Sequence, residues 1–178
     1  NASASGTVSA DGSRVGGLIG QSDGDVTSST ANGTVNASGN EAGGLVGQSN
    51  AAVKNSSASG DVSANGNTVG GLLGESNGAV SSSTASGDVA ATGPNTGALI
   101  GNQSSEKAIT DSAASGDVQV DGNSTGDLVG GAGGSSTLPS IETVTITDET
   151  NGDGTLSPGD RARVTVETGS GTISSVTV

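Results

Sequence analysis

The sequence predicts an all-β protein, in which a parallel β-solenoid of about five coils precedes a small antiparallel β domain. Three observations support this fold class: a Gly-rich phrase, an alternating phrase and a column of single aliphatic residues recur in phase. Their repeat is 27 residues, with a final interval of 29 residues in each series. A fixed period in this range is typical of proteins built from stacked repeats.

The Gly-rich phrase consists of a Leu, an aliphatic residue and a Gly, and its copies begin at Leu18, Leu45, Leu72, Leu99 and Leu128. Successive residues of a regular strand point to opposite faces, so two arrangements remain open for this phrase. Either the glycines permit a bend that buries both residues, or the second column forms an exposed apolar ridge suited to association. That second column contains Ile19, Val46, Leu73, Ile100 and Val129.

The alternating phrase Ala-x-Gly-x-Val begins at Ala4, Ala31, Ala58, Ala85 and Ala114. Small apolar residues alternate in it with polar ones, which predicts a half-buried strand. The third column contains Val26, Val53, Val80 and Ile109. Turn-forming residues separate the three segments, so we expect three short strands and three turns in each coil. A helical repeat is excluded because Gly, Ser, Thr, Asn and Val dominate the sequence.

Composition alone favours a different outcome, which is disorder. Hydrophobic residues make up 29% of the chain, aromatic residues are absent and the formal net charge is −13. The periodicity favours order, because in a stack the neighbouring coils bury the few apolar residues that each coil contributes. The 27-residue repeat therefore outweighs the composition.

The charge and the residue types also restrict the function. Eighteen acidic residues against five basic ones exclude nucleic acid as a partner, and no segment is apolar enough for direct membrane insertion. With no His, Cys or Tyr, the usual catalytic bases and nucleophiles are missing, so we expect no enzyme and no catalytic residues. This acid-rich, Lys-poor composition resembles that of proteins secreted by salt-loving microbes.

The five Gly-(Gly/Ala/Asp)-Leu-(Ile/Val/Leu)-Gly phrases resemble the GLUG repeat of large bacterial and archaeal surface proteins, which include adhesins. The resemblance covers about residues 1–134, and Ala98 and Asp127 depart from it at the second position. It implies an extracellular or cell-surface location and a β-helical structural role, and it transfers no catalytic residues to this chain.

We expect the solenoid over residues 1–134, a linker over 135–140 and the small β domain over 141–178. In that domain the pattern predicts strands at 141–147, 161–167 and 172–178. Between the first two strands, oxygen-bearing residues follow the spacing of a calcium loop, with Gly154 at the sixth place for the sharp turn. The candidate ligands are Glu149, Asn151, Asp153, Thr155 (through its backbone carbonyl), Ser157 and Asp160.

An ordinary polar hairpin turn is the alternative for this loop, because a Glu opens it and a short Asp closes it. Calcium is favoured because a unit of about 40 residues rarely folds without a metal, a disulfide or a partner.

Two further patterns concern the surface. Asp61, Asp88 and Asp117 occupy one outward column, where stacked like charges destabilise a sheet unless salt screens them, cations bridge them or solvent simply hydrates them. Asn-x-Ser/Thr sequons make six asparagines candidates for glycosylation in an exported chain. They are Asn1, Asn32, Asn36, Asn55, Asn102 and Asn123.

Asn1 falls within a repeat phrase, so we expect a processed or truncated chain whose first coil presents an open edge. An open edge favours head-to-tail assembly of identical copies into a surface fibre, since a heterologous contact that does not close makes a filament. The alternative is an adhesin or carbohydrate-binding segment of a larger surface protein, with surface glycans as partners.

Overall fold

Short strands connected by bends account for all the regular secondary structure in the described part of this computed structural model. The structure describes residues 1–104, 107–120, 125–126, 128–130, 141–148, 162–168 and 171–177. The chain divides into two units, residues 1–136 and residues 137–178, which are described separately below.

The first unit contains four complete coils of five strands each and part of a fifth coil. The first coil contains β1 (Ser3–Ala4), β2 (Val8–Ala10), β3 (Arg14–Gly16), β4 (Ile19–Ser22) and β5 (Val26–Thr27). The second contains β6 (Thr30–Ala31), β7 (Val35–Ala37), β8 (Glu41–Gly43), β9 (Val46–Ser49) and β10 (Val53–Lys54). The third contains β11 (Ser57–Ala58), β12 (Val62–Ala64), β13 (Thr68–Gly70), β14 (Leu73–Ser76) and β15 (Val80–Ser81). The fourth contains β16 (Thr84–Ala85), β17 (Val89–Ala91), β18 (Asn95–Gly97), β19 (Ile100–Gln103) and β20 (Ile109–Thr110). The described strands of the fifth are β21 (Ala113–Ala114), β22 (Val118–Val120) and β23 (Thr125–Gly126).

Equivalent strands of successive coils pair in parallel and build five sheets that run along the solenoid. The strand orders are β1-β6-β11-β16-β21, β2-β7-β12-β17-β22, β3-β8-β13-β18-β23, β4-β9-β14-β19 and β5-β10-β15-β20. The register follows the sequence repeat, so that Val53 lies opposite Val26 in the coil before and Val80 in the coil after. The parallel β-solenoid predicted from the 27-residue repeat is thereby confirmed.

Each coil has five strands where the sequence predicted three, and this part of the prediction was wrong. The alternation itself is correct, because in the second coil Ala31, Val35 and Ala37 are buried while Asn36 is exposed. The expected single strand is instead divided into β6 and β7 by a bend that contains Gly33. A column of glycines stacks at this bend, so the backbones of successive coils approach closely there and the strand breaks.

Two separate hydrophobic cores run through the coils. The first, here called the leucine core, contains the buried residues Val26, Ala31, Leu45, Val46, Val53, Ala58, Leu72, Leu73, Val80, Ala85, Leu99, Ile100 and Leu128. The second, the valine core, contains Val15, Val35, Ala37, Ala42, Val62, Ala64, Val69, Val89 and Ala91. Each coil therefore buries small aliphatic side chains in two places, and each fully buried Leu or Val contributes roughly 1.5–3 kcal/mol.

The second unit contains a three-stranded antiparallel sheet in the order β24-β25-β26. Its strands are β24 (Ile141–Asp148), β25 (Ala162–Thr168) and β26 (Gly171–Thr177). They begin and end within one residue of the predicted strands. The expected linker over 135–140 lies outside the described residues.

Candidate functional site

The Gly-rich phrase bends between its glycines and its aliphatic pair. In the second coil the bend falls at Gly44 and Leu45, after β8 and before β9, and both Leu45 and Val46 are completely buried in the leucine core. The carbonyl of Leu72 accepts hydrogen bonds from the backbone N–H of Leu45 at 2.9 Å and of Val46 at 3.1 Å. The bend that buries both residues is therefore confirmed, and the alternative of an exposed apolar ridge was wrong.

The three glycines of the phrase are required by close backbone contacts. A Cβ on Gly43 would overlap the carbonyl oxygen of Val46 in the same coil, and a Cβ on Gly44 would overlap the carbonyl oxygen of Gly71 in the next coil. A Cβ on Gly47 would lie 2.7 Å from the backbone nitrogen of Val15 in the preceding coil. These contacts lie where β8, which lines the valine core, meets β9, which lines the leucine core.

A left-handed corner joins the last strand of each coil to the first strand of the next. The corner residues have φ values of 48–51° and are Ser28, Asn55, Ser82 and Asp111. A serine follows each corner residue, and the hydroxyl of Ser83 accepts from the backbone N–H of Ser56 and donates to the carbonyl of Ser81 at 2.8 Å. This serine ladder was not predicted, although Ser29, Ser56, Ser83 and Ser112 recur with the repeat and could have indicated it.

The outward aspartate column is held by hydrogen bonds to the backbone. Asp61 Oδ1 accepts from the backbone N–H of Asp88 at 3.0 Å, and Asp88 Oδ1 accepts from the backbone N–H of Asp117 at 2.9 Å. Each of these two carboxylates thus faces the partial positive charge of an N–H group in the next coil. These backbone donors offset part of the repulsion between the stacked carboxylates. From the sequence, only salt, cations or hydration were expected to relieve it.

Four polar residues cluster where β3, β8, β9 and β14 come together on the surface. Arg14 Nε lies 3.4 Å from Glu41 Oε2, and the side chain of Glu41 is 17% exposed. This oxygen is buried and no hydrogen bond reaches it. Burial raises the pKa of Glu41 above its usual 4.5, Arg14 lowers it, and Glu75 raises it further. Glu75 Oε2 accepts from Gln48 Nε2 at 3.2 Å.

A polar furrow follows the outer surface of the sheet that contains β7 and β12. It consists of two adjoining cavities of about 370 and 210 Å³, which share Ser63, Ala64 and Asn65. Asn36 lies in the larger cavity. Hydroxyl and amide groups supply the hydrogen-bonding atoms of this furrow, with one carboxylate from Asp11.

The structure distributes the sequon asparagines over different environments. Asn36 lies within β7 and Asn102 within β19, whereas Asn32 lies at a bend and Asn55 at a left-handed corner. Asn1 is exposed in the first coil. Asn123 and the candidate calcium ligands lie outside the described residues; these ligands are Glu149, Asn151, Asp153, Thr155, Ser157 and Asp160.

Metal-binding clusters and membrane-spanning helices are both absent from the residues that the structure describes. No group of three or more His, Cys, Asp or Glu residues in the described part of the chain is placed to hold a metal ion. Nor do the described residues include a helix with the length and apolar character needed to cross a membrane.

Comparison with known protein families identifies the repeat. The family described as the GLUG motif matches residues 11–36 and 38–63. These two spans contain the Gly-rich phrases of the first and second coils, from β3 to β7 and from β8 to the start of β12. Neither the curated proteins nor the solved structures include a match to the chain.

Proposed function

Because this chain is a GLUG-repeat protein whose coils form a parallel β-solenoid, we propose that it is a non-catalytic structural protein of the cell surface. GLUG repeats in a β-solenoid fit a structural or surface-type repeat protein. The observation that supports the proposal most is the continuity of the sheets, of which three run through five coils and two through four, so that the backbone of each coil is tied to the next. In such a stack each coil packs against its neighbours, which suits an extended structural role.

The composition supports the non-catalytic part of the proposal. The chain contains no His, Cys, Tyr, Phe or Trp, so neither a catalytic histidine or cysteine nor the aromatic platforms of sugar-processing clefts are present. Exposure of the chain on intact cells tests the location. Protease added to the cells removes it if the proposal is correct, and protection from protease without detergent contradicts it.

Head-to-tail assembly into a fibre is the finer form of this proposal. Strands β1 to β5 each occupy an end position in their sheets, so their outer backbone edges can accept another set of strands. The fifth coil carries the same Ala-x-Gly-x-Val phrase as the first, at Ala114 and Ala4. A fifth coil of one copy therefore has the sequence pattern needed to pair with the first coil of another, and such a contact propagates without closing.

A proline in the first coil tests the fibre. The N–H of Val8 donates to the carbonyl of Thr34 in the second coil at 2.9 Å, so the N–H of Ser9 faces the opposite, outer edge. Ser9→Pro removes that outer donor and leaves the inner ladder intact, because proline is tolerated on edge strands. Ser9→Ala is the matched control, since it keeps the N–H.

Electron microscopy and sedimentation over a concentration series measure the result. We expect fibres for the wild-type chain and for Ser9→Ala, and monomers for Ser9→Pro with unchanged β-sheet circular dichroism. Monodisperse wild-type monomers at every concentration would contradict fibre formation. Fibres of Ser9→Pro would show that this edge is not the contact.

A second candidate function, a glycan-binding segment of an adhesin, is favoured by the polar furrow beside Asn36, Ser63 and Asn65. Its hydroxyl and amide groups suit neutral sugars, and its single carboxylate does not favour anionic ones. NMR titration with neutral oligosaccharides tests it: shifts confined to furrow residues support binding, and no shifts at millimolar sugar contradict it.

Calcium binding by residues 149–160 remains a proposal that the loop spacing supports. Titration calorimetry on the full chain measures it, with Asp153→Ala as the variant. Calcium uptake that this substitution abolishes supports the loop, and an absence of uptake by the wild-type chain favours the polar hairpin turn.

A further inference from the structure

Asn55 occupies an unusual place among the sequon asparagines. It lies between β10 and β11, it is exposed, and its φ of 50° puts it in the left-handed region. The chain changes direction at this residue, so its side chain leaves the solenoid at an outer corner. Ser28 and Ser82 hold the same place in the adjacent coils, and their small side chains leave space for a bulky substituent.

Two other sequon asparagines are held within sheets. Asn36 pairs with Ser9 on one side and Ser63 on the other, in the second strand of a five-stranded sheet. Asn102 is half-buried in β19 and lies opposite Glu75. A glycan-transferring enzyme must surround the acceptor amide, and neighbouring strands about 4.8 Å away on either side obstruct that approach.

Asn32 is exposed at a bend, and its amide is already engaged. Its Oδ1 accepts a hydrogen bond from the hydroxyl of Ser59 in the next coil at 3.0 Å. Asn55 is exposed and lies outside both β10 and β11. Among Asn32, Asn36, Asn55 and Asn102, Asn55 is therefore the one that combines exposure with a left-handed corner.

The backbone conformation of the corner by itself accounts for an asparagine at position 55, whether or not the residue is glycosylated. Asparagine tolerates the left-handed region better than most residues, and the first three corners have a hydroxyl residue two positions later, as Ser57 stands two residues after Asn55. An Asn at any of these three corners therefore creates a sequon. The consequence is nevertheless the same: an accessible amide precedes a serine at the required spacing.

We propose that Asn55 is the preferred acceptor of an N-linked glycan among Asn32, Asn36, Asn55 and Asn102, an inference that rests on the proposed location outside the cell. The donor is a lipid-linked oligosaccharide. A bond forms between the anomeric carbon of the sugar and Nδ2 of Asn55, while the bond from that carbon to the phosphate oxygen breaks. The phosphate leaves with the electron pair, and the amide loses one proton.

Expression of the exported chain in a host that performs N-glycosylation tests the proposal. A flexible C-terminal extension with its own sequon serves as the internal standard, and preparations in which the standard is glycosylated are analysed by glycopeptide mass spectrometry. We expect higher occupancy at Asn55 than at Asn32, Asn36 or Asn102. Low occupancy at Asn55, or greater occupancy at Asn32, Asn36 or Asn102, would overturn the proposal.

Two variants already have precedents elsewhere in the repeat. Ser57→Ala removes the sequon and introduces the residue that Ala113 supplies in the same column, and Asn55→Asp introduces the residue that Asp111 supplies at its own corner. Both should lose the glycan while keeping the wild-type circular dichroism. Failure of the chain to reach the cell exterior would count against the proposed function, whereas an exported chain without sugar on Asn55 would count against this inference alone.

Discussion

The hydroxyl of Ser83 lies 3.2 Å from the backbone nitrogen of Ser56 and accepts its hydrogen bond across two successive coils. The same hydroxyl donates to the carbonyl of Ser81, two residues back in its own coil. One side chain thus closes a left-handed corner and connects it to the coil below. The arrangement recurs at Ser56, whose hydroxyl accepts from the N–H of Ser29.

Ser83→Ala should destabilise the solenoid by about 1–3 kcal/mol, because the buried N–H of Ser56 loses its acceptor. Urea denaturation followed by circular dichroism measures the change. Ser63→Ala is the control, since Ser63 is exposed and Ala90 is its partner in the next coil. Equal stability of the two variants would show that the serine ladder is not a stabilising element.

Ser82→Gly should stabilise the protein by roughly 0.5–1 kcal/mol. Ser82 has a φ of 48°, where a Cβ is unfavourable and glycine is not penalised. Ser81→Gly, one residue earlier in β15, should instead destabilise by a similar amount, because a strand gains nothing from the added freedom. Thermal unfolding distinguishes the two, and a loss of stability in both variants would contradict the role assigned to the corner.

The loss of unfolding free energy when a glycine is replaced by alanine should be larger where the added Cβ would lie closer to neighbouring backbone atoms. In Gly74→Ala the new Cβ would lie 2.7 Å from the backbone nitrogen of Ala42, and we expect a loss of more than about 3 kcal/mol or failure to fold. Gly20→Ala places its Cβ 3.0 Å from the carbonyl oxygen of Arg14 and should be milder.

Gly24→Ala is the control for this series, because no atom lies within 4 Å of its added Cβ. We expect its unfolding free energy to change by less than about 0.5 kcal/mol. A different order of stability among the three variants would mean that glycine is not selected for close approach.

Glu41 should make the solenoid less stable as the pH rises. Its pKa is raised in the folded state, so between its usual 4.5 and the raised value the folded chain binds more protons than the unfolded chain. The contribution of Glu41 is therefore fully present below pH 4.5 and is lost as the pH rises through the folded pKa. Glu41→Gln removes this titration and should be more stable than wild type at neutral pH, with the difference shrinking in acid.

Arg14→Gln should strengthen the pH dependence that Glu41→Gln removes. It eliminates the cation that lowers the pKa of Glu41, so the folded-state pKa rises further. The loss of stability between acid and neutral pH should then become steeper than in the wild-type chain. Chemical denaturation at a series of pH values gives both comparisons as differences from wild type. A shallower profile for Arg14→Gln would contradict the interpretation.

The repeat revealed the stacking because a parallel register places residue i beside residue i + 27. The column of Val26, Val53 and Val80 could therefore be assigned to one sheet from the sequence alone. The number of strands in each coil could not be predicted from the sequence. The alternation of Ala31, Gly33 and Val35 continues without a break through the bend that separates β6 from β7. Alternation reports which side a residue faces and not where the backbone turns.

Some features of the candidate functional residues were visible in the sequence, and others depend on the tertiary structure. The sequon at Asn55 is visible in the sequence, but its distinction from Asn36 depends on the corner that β10 and β11 form. Glu41 showed no pattern at all, because its raised pKa comes from burial beside Arg14 and from Glu75 in another coil. The spacing of the calcium loop was the only signal for residues 149–160, and it stays a prediction.

By itself, the sequence determined that this protein is a stack of 27-residue coils and which residues form its columns, because periodicity is a property of the chain alone. Only the tertiary structure decided that both Leu45 and Val46 enter one core, that a second core lies beside it, and that glycines mark where the strands lining these cores touch. The physical reason is excluded volume. Whether two backbones lie close enough to forbid a Cβ depends on segments that the sequence places far apart.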